Sequence, residues 1–226
     1  VQQHVDDIIK RADLLRSQQD DPEGALPLYL EAAQQLPKTD ERYAICYQQA
    51  GVCCKMMRQF IQALSYLDEA LNTAKAAWLA SAILRDTADA YCKMGDLGRA
   101  RNLLYQALEG LSEAGEPEHY GITLSWIGRV ERDRGFHSSA LGMFERAHQI
   151  LHLGDNRSFE LYNLLDLADE RCKCDHPMRG RQAAHQAFRL ARVYGSRNEV
   201  RRAQLIMALG HDAQPIIKAV AQRKGR

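Results

Sequence analysis

Along most of the chain, apolar side chains return every three to four positions, the period of a helix with one buried face. In residues 2–18 the apolar set is Val5, Ile8, Ile9, Ala12, Leu14 and Leu15, with Asp6 and Asp7 near the positive end of the helix dipole. The DDPEG segment then stops and restarts the chain, because Asp21 can cap the next helix and Pro22 suits its first position. Continued to the end, the same reading predicts further helices over 22–36, 40–57, 60–76, 80–94, 97–114, 118–134, 137–152, 157–173, 180–194, 198–209 and 213–223, and no strand. Most breaks hold turn residues, as at Gly95–Asp96, GEPEH (115–119) and Gly135. The MRQ break (57–59) lacks glycine, and CKCDHPMRG (172–180) is longer and irregular.

A second, longer period overlies the first. Within 81–115, small residues stand at Ala88, Ala100 and Ala107, Leu104 follows the second of them by four, and Tyr91 precedes the Gly95–Asp96 turn. The set returns as Ala25, Tyr29, Ala32 and Pro37, as Gly51, Ala63, Leu67 and Ala70, and as Gly128, Ala140, Phe144 and Ala147. A stretched copy is Leu167, Ala168, Ala184, Phe188 and Ala191. The anchors Ala25, Ala63, Ala100, Ala140 and Ala184 are 38, 37, 40 and 44 residues apart. This pattern resembles the tetratricopeptide repeat, whose paired helices cross so closely at the small positions that only Ala, Gly or Ser fits. The intervals exceed the roughly 34 residues of its commonest form and resemble the long-repeat variant of kinesin light chains, spindle-orientation adaptors and some bacterial ligand-sensing regulators. The resemblance implies an all-α, right-handed superhelical solenoid of about six antiparallel hairpins and twelve helices, with first helices lining a concave groove. Because such an array grows by stacking rather than around one core, a single domain over 1–226 is expected. Its hairpins are 2–37, 40–76, 80–114, 118–153 and 157–195, with a capping hairpin at 197–223.

The groove is where the resemblance puts function, as a module or scaffold binding a partner peptide or helix. Its groove-facing positions fall on Gln48, Val52 and Lys55, on Arg85, Asp89 and Lys93, on Arg129 and Arg132, and on Tyr162 and Lys173. Basic residues outnumber acidic ones in that set, which suits a segment carrying carboxylates and apolar anchors, since guanidinium groups bind carboxylates as a fork. Recognition of chaperone tails is argued against: Leu14 and Val52 stand where that clamp needs Asn, and Ala82 and Asp86 where it needs basic residues. Trp126, between Leu124 and Ile127, is expected to be buried between repeats.

Composition adds limits. The 46 % hydrophobic and 26 % charged fractions are those of a water-soluble globular chain, with no apolar run long enough to span a membrane and no leader pattern. The six cysteines fall mostly inside helical patterns, which reads as apolar filler in a reducing, cytoplasmic compartment. Cys172, Cys174 and His176 form a CxCxH cluster whose spacing is poor for structural zinc, so no metal and no cofactor is predicted. No nucleophile–base set, phosphate loop or dinucleotide fingerprint occurs, and the expectation is a non-enzyme. Charge is uneven: residues 179–226 carry 11 basic and 2 acidic residues within a chain of net charge +1. Arg192, Arg197, Arg201 and Arg202 lead that basic patch, which could meet an acidic surface or nucleic acid, although few aromatics accompany it for base stacking. Opposite charge at the two ends also allows head-to-tail self-association. A ligand- or peptide-sensing domain of a signalling regulator is the alternative within the same fold.

Overall fold

The computed structural model describes residues 2–174 and 176–208. Its helices are α1 (Gln2–Gln18), α2 (Pro22–Gln34), α3 (Glu41–Met56), α4 (Phe60–Thr73), α5 (Ala77–Lys93), α6 (Leu97–Ala114), α7 (Pro117–Asp133), α8 (His137–Leu151), α9 (Arg157–Lys173) and α10 (Pro177–Tyr194). A further helical segment, α11, runs over 197–208. No strand occurs among the described residues, and the fold class is the all-α hairpin repeat expected from the sequence. The second helix of the expected cap, 213–223, lies outside the described residues, as does Asp175 in the irregular loop.

Local chemistry sets the helix ends. Asp21, Asp40, Asp96 and Asn156 each accept a backbone N–H of the first turn that follows, at Gly24, Arg42, Arg99 and Phe159. Three boundaries differ from expectation. Helix α5 starts at Ala77 rather than 80, from an extended Ala76 with no side-chain cap. Helix α10 starts at Pro177 rather than 180, the proline taking the first position where its missing N–H costs nothing. Helix α4 stops at Thr73 instead of 76, where the threonine hydroxyl donates back to the Glu69 and Ala70 carbonyls and Ala74 turns extended.

The turns inside hairpins share one geometry. Gly95 and Gly135 take positive φ, and the residue after each donates its N–H five residues back, Asp96 to Tyr91 and Phe136 to Glu131. Between α3 and α4 the same bonds form around Arg58, at φ 62°, with Gln59 donating to Cys54. The glycine-free break is therefore the same turn, built with a residue that bears the left-handed strain.

The chain divides into two compact units, Val1–His119 and Tyr120–Arg226. In the first, apolar clusters sit between successive helix pairs: Val5, Ile8, Ala32, Ala33, Tyr43 and Cys46 in one, Ala44, Leu67, Ala70, Leu79 and Ile83 in another. Cys46, Cys53 and Cys54 are buried as filler, and burial pushes the Cys46 thiol up to about 12. In the second, Ala140, Phe144 and Leu167 form one cluster, and α9 and α10 close another around Leu161, Leu165, Ala184, Ala187, Ala203 and Ile206.

Within each hairpin the small residues mark the crossing. A Cβ added at Gly51 would meet Leu67 Cγ at 2.7 Å, and one added at Gly128 would meet Phe144 Cε1 at 2.6 Å. Both neighbours are fully buried, so neither can swing away. Gly142, on α8, has nothing within 4 Å of such an atom. Two substitutions separate packing from propensity. Gly142→Ala should stabilise by about 0.5–1 kcal/mol through helix propensity alone. Gly128→Ala should destabilise by about 1–2 kcal/mol, because overpacking outweighs the same gain. Urea unfolding of the two variants checks the opposite signs.

Candidate functional site

The predicted groove residues fall on the first helices of successive hairpins, and each unit presents its own set. In the first unit, Lys55 on α3 donates to Asp86 Oδ1 at 2.8 Å and to Asp89 Oδ2 at 3.1 Å on α5. Gln48, one helical face above, donates from Nε2 to Asp86 Oδ2 at 2.7 Å. The Lys55 side chain keeps only 9 % exposure. Burial works against its charge, and the two aspartates more than restore it, so its pKa is raised. Arg85 is buried on the same helix as Asp86 and donates to Ser81 Oγ at 3.1 Å; burial draws its pKa down to about 10. Beside this network lies a recess of about 480 Å³ lined by Val52, Lys55, Met56, Arg58, Phe60, Asp89 and Lys93. Four predicted site residues, Val52, Lys55, Asp89 and Lys93, meet there.

The second unit repeats the device with arginine. On α7, Arg129 donates from Nε to Asp166 Oδ2 at 2.6 Å, and Arg132 from Nη1 to Asp166 Oδ1 at 3.0 Å. Arg202 on α11 adds Nη2 to Oδ1 at 2.8 Å. Lys55 and Arg132 each follow the small residue of their helix, Gly51 or Gly128, by four; Asp86 and Asp166 each precede theirs, Ala88 or Ala168, by two. The two pairs occupy the same repeat positions. Asp166 is 3 % exposed, and burial alone would raise its carboxyl; the guanidinium groups of Arg129, Arg202 and Arg132 overcome this and hold it at about 2. Glu160 and Glu170 extend this buried acidic row on α9, the first bonded to His152 and Arg157, the second with Oε1 at 2.6 Å from His137 Nδ1.

Three sequence readings need revision. The excess of basic residues on the groove positions left out Asp86 and Asp166, which neutralise Lys55, Arg129 and Arg132. Trp126 is not enclosed between repeats: Leu124 and Ile127 are, while the indole, partly exposed, lies under the Arg129 guanidinium, 5.1 Å from ring centre to cation. Arg202, read as part of a free basic patch, is tied to Asp166, whereas Arg192, Arg197 and Arg201 are exposed. A second recess, about 210 Å³, is walled by Ile122, Ser125, Trp126, Arg129, Leu151, Phe159 and Tyr162. Tyr162 is 40 % exposed, and Lys173 forms an ion pair with Asp169 on its own helix. Asp86, Asp166 and Phe159 were missed; for the aspartates the available signal was an acid 31 or 34 residues after a cation, close to one repeat.

Cys172 is packing rather than ligand: its sulfur would lie 2.5 Å from a Cβ at Gly180, so the glycine makes room for it. Among the described residues no group of three metal-binding side chains gathers. No helix among them is long and apolar enough to cross a membrane.

Residues 79–151 match the family profile described as tetratricopeptide repeat, so the resemblance drawn from the small-residue pattern holds. No curated protein matches the chain by sequence. Among solved structures, the apo form of RapI superposes with a TM-score of 0.75 at 14 % identity, covering 99 % of this chain and 84 % of that one. BtubC (BKLC) from P. vanneervenii gives 0.67 at 18 % identity over 82 % and 79 %. A Rap protein complexed with competence and sporulation factor gives 0.71 at 16 % identity over 96 % and 68 %. At these identities the likeness is one of fold.

The Asp166 centre carries a prediction with a defined sign. A carboxyl held near 2 against an ordinary 3.8 stabilises the fold fully above about pH 4, and that contribution, about 2 kcal/mol, is lost as pH falls through 2. Asp166→Asn should abolish this acid-dependent component and cost about 2–4 kcal/mol at pH 7, since it strands three guanidinium groups. Unfolding free energies of both proteins measured from pH 2 to 7 give the comparison.

Proposed function

We propose that the chain is a binding module that takes a protein or peptide segment along its first helices and catalyses nothing. The observation that carries this reading is the α3/α5 recess, where four residues from successive repeats meet around a lysine already fixed by two aspartates. Such a surface is organised before a partner arrives, so little ordering entropy is lost on binding. Val52, Met56 and Phe60 supply apolar area, and Lys93, with no ion pair on this face among the described residues, supplies charge for an acidic group of the partner. Support comes also from the fold: two structures of the same architecture hold peptide regulators, a Rap protein with competence and sporulation factor and the Rap conjugation gene regulator of plasmid pLS20 with the Phr* peptide. They favour, within this reading, a peptide-sensing domain over a passive scaffold. We place the chain in the cytoplasm on its six free thiols.

The test is selection from a random peptide library, followed by titration of the selected peptides against variants. Lys93→Glu and Val52→Asp should each weaken binding about tenfold or more while leaving the melting temperature within a few degrees, both positions being outside the closed core. Selected peptides that bind both variants as tightly as the parent would overturn the assignment of this face.

A further inference from the structure

The second recess holds a group that peptide binding in general does not assign. Arg129 is fixed from behind by its Nε bond to Asp166, itself 3 % exposed, and on one face by the Trp126 ring. Those contacts use the Nε–H and the flat of the guanidinium. Its Nη1 and Nη2 groups make no hydrogen bond among the described residues, and the side chain keeps 29 % exposure. The cavity alongside, about 210 Å³, has apolar walls from Ile122, Leu151, Phe159 and Tyr162. It equals about seven times a water molecule's share of liquid volume, room for one ring or branched side chain but not for a folded segment.

Charge also points one way. Arg129, Arg132 and Arg202 converge on Asp166, and Asp133, 3.6 Å from Arg132 Nε, is the other acid in contact, leaving one positive charge uncompensated. The geometry points to a site for an apolar or aromatic residue bearing a free carboxylate, the C-terminal residue of a peptide, with its side chain in the recess and its carboxylate across Arg129 Nη1 and Nη2. An internal Asp or Glu would bring the carboxylate without the apolar group; a chain end brings both on one residue. Two parallel N–H donors match a carboxylate in a way one ammonium cannot. This assignment rests on the peptide-binding reading and names the chemistry of one of its subsites.

The test uses the full chain and acetyl-Gly-Gly-Ala-Phe as free acid and as C-terminal amide, titrated calorimetrically. The acid should bind at least about tenfold more tightly than the amide, the range of a charge-assisted hydrogen bond. Arg129→Gln should erase that difference, and Arg129→Lys should restore only part of it, because the charge returns without the fork. Asp166 keeps Arg132 and Arg202 in both variants, and an unchanged melting temperature verifies it. Should Arg129→Gln unfold, Tyr162→Ala at an exposed position should weaken the acid about fivefold. N-acetyl-phenylalanine separates the sources: weaker binding than the tetrapeptide acid assigns the site to a chain end, equal binding to a free aromatic acid. Equal affinity of acid and amide, or no binding of either, overturns the proposal while leaving the Lys93-dependent capture at the other recess intact.

Discussion

The close approach of paired helices is the constraint from which the rest of the structure follows. At Gly51 and Gly128 the backbone of a first helix lies against the largest side chain of its partner, Leu67 or Phe144, with no room for a methyl group. That contact fixes how far apart the two helices run and therefore which residues of the first helix remain outside the hairpin. Lys55 and Arg132 stand one helical turn beyond those glycines, on the side left open, and reach the next hairpin's aspartate from there. Packing thus decides where charge can bridge hairpins.

The bridging aspartates then organise the surface. A lysine or arginine on an open helix face would sample many rotamers, and ordering it on binding would cost free energy. Asp86 and Asp166 hold these cations in place in the unbound chain. In the second unit this also leaves Arg129 with its terminal donors facing outward, backed by a buried carboxylate and steadied by Trp126. A buried ion pair is weak evidence for stability in general, but here one carboxylate satisfies three guanidinium groups that are each partly solvated, so the desolvation cost falls mainly on Asp166.

Much of the fold was legible because its determinants are local and periodic. Ala25, Gly51, Ala88 and Gly128 return at intervals that no random helical sequence would keep, and Asp21, Asp96 and Gly135 announce helix ends by chemistry confined to one turn. The site was less legible because its organisers come from the following repeat. Asp86 was noticed only as the wrong residue for a chaperone clamp, and Asp166 was passed over, since an acid's partner more than thirty residues away has no local signature. Trp126 was misread for a related reason: flanking Leu124 and Ile127 do define the buried face, but a residue between them points off it. Arg58 shows a limit of a different kind, a turn recognised by position although its residue argues against the conformation it takes.

The crossing can be tested by asking whether Gly128 and Phe144 depend on one another. In a double-mutant cycle of Gly128→Ala and Phe144→Leu, measured by urea unfolding, the shorter side chain makes room for the added methyl group. Relief of that clash should make the pair more stable than the sum of the single changes by about 1 kcal/mol or more. Additivity within about 0.3–0.5 kcal/mol would show that the glycine is not there to admit the ring, and would contradict the packing on which the placement of both recesses rests.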